Sequence, residues 1–160
     1  MIFIALGTQS NDFSRCIKSF EEVMKKYSIT ETVVAQVGNT MYRSPQMTSY
    51  DFVSENEFQE YIKSASVVIT HAGSGALFSA IKKRKKIIAV ARLSKYGEMI
   101  DDHQTELVKK LAEGGYLVDG TYSMSDAWEK IKDFKPREAD FKCDLTEKIS
   151  EAIDKFLKVV

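Results

Sequence analysis

The 160-residue chain has two histidines, His71 and His103, and each stands at the start of a stretch whose residue types permit chemistry. His71 follows the apolar run Val67 to Thr70 and leads into Ala72, Gly73, Ser74 and Gly75, after which a helix-forming segment begins. A buried parallel strand that enters a glycine-rich turn opening a helix gathers unpaired backbone N–H groups and the positive end of a helix dipole in one place. The ligand suited to such a turn is an anion, most often a phosphate. Taken alone, His71 would be a histidine bonded at a strand end; its place beside that turn puts a donor or positioning contact ahead of that reading, and both stay open. His103 and Gln104 open a later helix and leave two readings open: a polar first turn, or hydrogen bonds to ligand hydroxyls.

Other chemistries fit these residues less well. The turn is no GxGxxG dinucleotide fingerprint, because it follows a late strand and the first strand's turn holds only Gly7. No Gly-Lys-Ser/Thr follows it, which excludes a P-loop, and Ser74 sits in GSG rather than in GxSxG. A hydrolase built on Ser74 with His71 or His103 would lack an orienting carboxylate. Cys16 and Cys143 have no CxxC spacing and read as reduced thiols, so no metal set is expected. The 23 basic and 23 acidic residues balance, and no zinc-finger or aromatic-basic pattern appears, which disfavours nucleic acid as a partner.

The elements that must position these residues alternate along the chain. Ile2 to Leu6 is a short unalternating apolar run, as in a strand covered on both faces, and Gly7, Thr8, Gln9 and Ser10 end it. Ser10, Asn11 or Asp12 is the expected cap of a helix reaching about Tyr27. Thr32 to Val37 reads as a second strand, and Thr40 to Tyr50 as a loop with at most a weak strand. Phe52 and Val53 precede a helix from about Asn56 to Ser64. Ala76 to Lys83 forms the helix after the glycine turn, and Ile87 to Ala91 the next strand, followed by Arg92 and a flexible loop over Leu93 to Met99. A helix after His103 stops at Gly114 and Gly115, Tyr116 to Val118 is a last strand, and Ser125 to Ile131 and Leu145 to Leu157 are helices.

Strands alternating with helices predict an α/β fold, a doubly wound, mostly parallel, Rossmann-like sheet in one domain spanning 1–160. Gly7 to Ser10, His71 to Gly75 and Arg92 to Gln104 then share the carboxyl edge, where ligands gather. That set suits a diphosphate and a polyhydroxyl group. The basic run Lys82 to Lys86 precedes its strand and lies at the opposite edge, which favours a solvated helix end over an anionic membrane site. MIFIALG lacks a cationic leader region, and no stretch approaches the ~20 apolar residues of a membrane span, so a cytoplasmic location is expected.

VVITHAGSGALFSA, DDHQTELVKKLAEGGY and the opening IFIALGTQSNDF together resemble the glycosyltransferase family 28 C-terminal domain. Within that family the chain is similar to the donor-binding subunits of two-component UDP-sugar transferases, of dolichol type or from bacterial capsule and exopolysaccharide synthesis. The resemblance implies the C-terminal half of a GT-B fold that binds a UDP-sugar. A membrane-anchored partner subunit would bind the lipid-linked sugar acceptor, hold the general base and recruit the chain to the inner face of the membrane. It also implies an inverting, metal-independent transfer with no cofactor.

By position in the motifs, the resemblance implies roles for individual residues. Gly7, Thr8 and Gln9 would lie near the phosphates, Phe52 and Val53 would read uracil through the backbone, and His71 to Gly75 would grip the diphosphate, with His71 a possible catalytic group. His103 and Gln104 would contact the sugar; Arg92 is expected at the ligand edge on separate grounds, because it immediately follows the strand Ile87 to Ala91. Where relatives carry a ribose-binding glutamate, this chain has Ser79, so water, another residue or partner docking must supply that contact. The competing expectation is a non-catalytic subunit that enhances a partner transferase without binding nucleotide.

Overall fold

A computed structural model describes residues 1–138 of the chain. Six strands, β1 (Ile2–Ala5), β2 (Val33–Gln36), β3 (Thr48–Tyr50), β4 (Val67–His71), β5 (Lys86–Val90) and β6 (Val118–Asp119), form one sheet in the order β3-β2-β1-β4-β5-β6. Every pairing is parallel, so the sheet is wholly rather than mostly parallel. Helices α1 (Ser14–Lys26), α2 (Glu55–Ser64), α3 (Ser74–Lys82), α4 (His103–Glu113) and α5 (Met124–Asp133) connect and cover it. The helix expected at Leu145 to Leu157, and Cys143, lie outside the described residues.

The pleat of β1 divides the core between two layers. Ile2 and Ile4 pack with α1 and α5, while Phe3 and Ala5 pack with α2, α3 and α4. Phe3 stacks on Tyr61 at 5.3 Å and meets the edge of Phe58 at 5.4 Å, which fixes α2 against the sheet. Cys16 lies in the first layer, where burial pushes its thiol up to about 12 and leaves it unreactive.

Several local expectations change. The N-cap of α1 is Phe13, without a side-chain cap. Asp12 serves instead as a tie between segments, its Oδ1 accepting from Ser14 Oγ at 2.7 Å and from the Met41 N–H at 2.8 Å. The 40–50 segment ends in β3, an edge strand of three residues paired with Val34, Ala35 and Gln36. Helix α3 begins at Ser74, two residues earlier than expected, so the glycine turn itself supplies its first turn.

The loop after β5 is tied to the rest of the fold by a buried carboxylate. It contains a 3-10 turn at Ser94–Tyr96, and the buried Glu98 accepts from Arg15 and from the Leu93 N–H. The basic run has internal partners. Lys85 Nζ donates to the Ala65 carbonyl at 3.0 Å and Lys86 Nζ to the Ile131 carbonyl at 3.0 Å, closing the C-terminal ends of α2 and α5. Lys83 donates to Gln59, and Arg84 pairs with Glu138.

Candidate functional site

The strand order reverses between β1 and β4, whose last paired residues are Ala5 and Thr70. In a parallel sheet that reversal leaves a crevice beyond the carboxyl ends of the two strands. A cleft of about 450 Å³ lies there, lined by the β1 turn (Gly7, Thr8, Gln9), by Phe52 and Val53 after β3, and by His71, Gly73, Ser74 and Gly75. A second cleft of about 550 Å³ lies at the opposite edge, beside Lys25, Glu31 and Pro45, and contains neither histidine nor glycine turn. The smaller one is the candidate because the chemistry converges on it.

Its floor is the first turn of α3. The first intrahelical bond runs from the Leu77 N–H to the Gly73 carbonyl, so the N–H groups of Ser74, Gly75 and Ala76 have no helical acceptor. Among the described residues no side chain caps them, whereas Ser54 with Glu57 caps α2 and Ser123 caps α5. All three residues line the cleft, so these donors and the helix dipole face any anion within it.

His71 forms one wall. It is 8% exposed, and its ring sits where a methyl group on either Gly7 or Gly73 would overlap it. Gly7 is also at φ +75°, a conformation that disfavours any side chain there. The ring's Nδ1 lies 3.2 Å from the Ala5 carbonyl, which also accepts from Thr70 Oγ1 at 2.9 Å. A carbonyl only accepts, so the proton of neutral His71 is on Nδ1. Burial, with Arg92 adding to it, holds the imidazole below its ordinary range, and the Ala5 bond opposes them in part.

The remaining expected residues divide sharply. Ala72 is buried in the core at 4% exposure and offers no side chain to the cleft. Arg92 does not reach the ligand edge as a free cation. It is 1% exposed, its guanidinium donates to the carbonyls of Asn11 at 2.9 Å and Leu6 at 3.2 Å, and it lies 4.4 Å over the Phe13 ring. It pins the β1 turn from beneath. The Gln104 Oε1 accepts from the Arg92 N–H at 3.1 Å, and the His103 side chain is 82% exposed; neither lines the cleft.

Phe52 presents a ring 53% exposed to the cleft mouth, but the Val53 N–H is already donated to Gln36 Oε1 at 3.2 Å. Ser79 Oγ donates to Gln59 Oε1 at 2.9 Å, and Gln59 Nε2 donates to Glu55 Oε1 at 2.7 Å. Ser79 thus stands behind Gln59, and Glu55 brings a carboxylate to the cleft. Gln36, Glu55, Phe58, Gln59 and Ala76 line the site without having been foreseen. Glu55 and Gln59 are one helical turn apart on α2, and that spacing after β3 was the available signal.

Six parallel strands in this order, with the cleft at the reversal, make the chain a Rossmann-like α/β domain of the kind that forms the C-terminal half of GT-B glycosyltransferases. The profile of the glycosyltransferase family 28 C-terminal domain matches residues 1–156, and the chain belongs to that family. Among curated relatives, the human UDP-N-acetylglucosamine transferase subunit ALG13 is 25% identical over 123 residues, covering 72% of this chain and 10% of the relative. The subunit of that name from Cryptococcus neoformans is 30% identical over 79 residues, covering 49% of this chain and 38% of the relative. The chain therefore spans well under half of either relative. A solution NMR structure of ALG13 superimposes with a TM-score of 0.56 at 16% identity, over 84% of this chain and 87% of that one. The kitacinnamycin glycotransferase crystal structure gives 0.55 at 11% identity, over 83% of this chain and 35% of that one.

Proposed function

We propose that this chain is the UDP-sugar-binding subunit of a heteromeric, inverting glycosyltransferase. The observation that carries the reading is the uncapped first turn of α3, whose Ser74, Gly75 and Ala76 N–H groups open into the same cleft as His71 and Phe52. In that reading the diphosphate caps α3, and uracil lies against Phe52. The 2′- and 3′-hydroxyls of ribose meet Glu55, which replaces the carboxylate that Ser79 does not supply.

When an acceptor hydroxyl attacks the anomeric carbon, the bond to the donor diphosphate breaks and charge collects on the leaving oxygen. Donors already fixed along α3 stabilise that charge without rearranging, and no metal is called upon. The proton of the attacking hydroxyl goes to a base on the partner subunit. The donor proposed is a UDP-hexose or UDP-N-acetylhexosamine. Its acceptor is a sugar on a polyprenyl diphosphate, held by a membrane-anchored partner in capsule or exopolysaccharide assembly. The reading assigns the membrane anchor to that partner; among the described residues no helix is long and apolar enough to cross a membrane.

Titration calorimetry with UDP tests the donor site. Saturable binding at one site, abolished by Gly73→Val, is the expected result, because a side chain on Gly73 would collide with His71 and fill the approach to the turn. Absence of binding by the chain, alone and with its partner, would favour the non-catalytic subunit instead.

A further inference from the structure

The geometry points to a proton-coupled latch: diphosphate binding takes up one proton on His71, converting a neutral imidazole into an imidazolium that donates from Nε2 to a phosphate oxygen. This inference rests on the donor-site reading above and adds to it the protonation state in which the site works.

The free site cannot donate from this residue as it stands. The Nδ1 proton is committed to the Ala5 carbonyl, and the neutral ring therefore carries a lone pair on Nε2. That atom has no hydrogen-bond partner among the described residues, and the residue is 8% exposed along the cleft wall. Turning the ring over would break the Ala5 bond without giving the proton another acceptor. A phosphate brought against an unprotonated Nε2 would meet lone pair against lone pair. A second proton on the ring turns that repulsion into a charge-assisted hydrogen bond.

The surroundings supply the switch in both directions. Arg92, beyond the end of β5, is the cation that opposes protonation of the free ring, and the first turn of α3 adds its positive dipole end. Among the described residues Glu55 on α2 is the single carboxylate lining the cleft, whereas the β1 turn and the α3 turn present glycines, hydroxyls and amides. A bound diphosphate reverses the sign of the local field, so the same buried position that keeps the ring neutral when free favours its charged form when the anion is present. Linkage then requires affinity to fall as pH rises above the free-state value, by about tenfold per pH unit, until the bound-state value is passed.

The test uses the full chain and UDP-N-acetylglucosamine, whose sugar-linked diphosphate has no proton to exchange near neutrality. Calorimetric titrations at several pH values between about 6 and 8, in buffers of different ionisation enthalpy, should report net proton uptake, rising toward one per site where the free ring is neutral and the bound ring charged. His71→Gln, which places an amide donor near the Nε2 position, should bind with no proton uptake and with little pH dependence. Nitrogen-15 NMR of the imidazoles is simple to assign with only two histidines in the chain. It should show the Nδ1–H tautomer in the free protein and a doubly protonated ring at His71 in the complex. An Nε2–H tautomer in the free protein overturns the inference without any ligand being added. Binding with no proton uptake overturns it and leaves the donor site standing. Failure of UDP and UDP-N-acetylglucosamine to bind at all overturns the donor-site reading, and the latch falls with it.

Discussion

Arg15 and Glu98 form a fork-to-fork pair: Nε and Nη2 of the arginine each lie 2.8 Å from a different oxygen of a carboxylate that is 4% exposed. The pair joins α1 to the loop after β5. Arg15 also donates to the Thr121 and Ala91 carbonyls, each at 2.8 Å, so one guanidinium ties the segments after β5 and β6 to the helix that follows the β1 turn. Burial alone would lower the Arg15 guanidinium, but the Glu98 contact more than offsets it and its affinity for protons is raised.

Glu98→Gln should therefore lower the unfolding free energy by about 3 kcal/mol, because it leaves Arg15 and the neighbouring Arg92 without their buried counter-charge. Urea denaturation gives the number. Arg15→Lys should cost less than Glu98→Gln but more than a surface change, since an ammonium keeps the charge and loses the fork. A loss under about 0.5 kcal/mol for Glu98→Gln would mean that this cluster does not hold the edge together.

Acid should destabilise the fold in two stages. His71 has a folded-state value below its ordinary 6.5, chiefly through burial, so the unfolded chain takes up its proton first. That contribution is whole above 6.5 and is lost as pH falls below it. Glu21, lowered by its bonds to Lys25 and Tyr42, and Glu31, lowered by Ser66 and the N-terminal ammonium, lose theirs only as pH falls below their ordinary 4.5. Urea midpoints across this range should show both stages, and His71→Gln should remove the upper one while keeping the lower.

The glycine turn and the strands around it were legible because each carries its own local signal. Val67 to Thr70 is apolar without alternation, and Gly73 and Gly75 interrupt it where β4 meets α3. By the carboxyl-edge rule the β1 turn lies beside the glycine turn. What sequence position does not encode is where a long side chain goes. Arg92 follows β5 as expected, yet it turns back to the Leu6 and Asn11 carbonyls because a planar donor can satisfy several orphan acceptors at once. Glu55 falls just before the helix expected from about Asn56, and Gln36 falls inside the strand expected over Thr32 to Val37. Both become part of the site only through pairings across many residues. β3 was faint for a different reason: three half-polar residues at a sheet edge bury too little to leave a pattern.

Phe52→Ala should weaken UDP binding by about tenfold or more, given that stacking of a base on an aromatic ring contributes roughly 1–3 kcal/mol. The ring is 53% exposed, so its loss should leave the thermal midpoint nearly unchanged. Fluorescence or calorimetric titration of UDP against a uracil-free diphosphate separates the base from the phosphates. If both ligands weaken equally, Phe52 acts on the cleft as a whole and not on the base.

Glu55 offers the sharpest test of how the site is completed. Its carboxylate is held by the Gln59 amide at 2.7 Å, and Gln59 is held in turn by Ser79 at 2.9 Å, so two neutral residues aim one charged one toward the cleft. If that carboxylate accepts from the ribose, Glu55→Gln should cost UDP about tenfold to a hundredfold in affinity, the range expected for hydrogen bonds to a charged group. It should cost 2′-deoxyuridine diphosphate much less. Ser79→Ala should show a weaker version of the same loss, because it removes one of the two donors to Gln59 Oε1, leaving Lys83, and does not remove the acceptor. Restoring a carboxylate with Ser79→Glu in the Glu55→Gln background should recover discrimination between the two nucleotides. Equal affinity of wild-type protein for ribose and deoxyribose ligands would show that no carboxylate reads the sugar here, and that the Ser79–Gln59–Glu55 chain serves only to join α3 to α2.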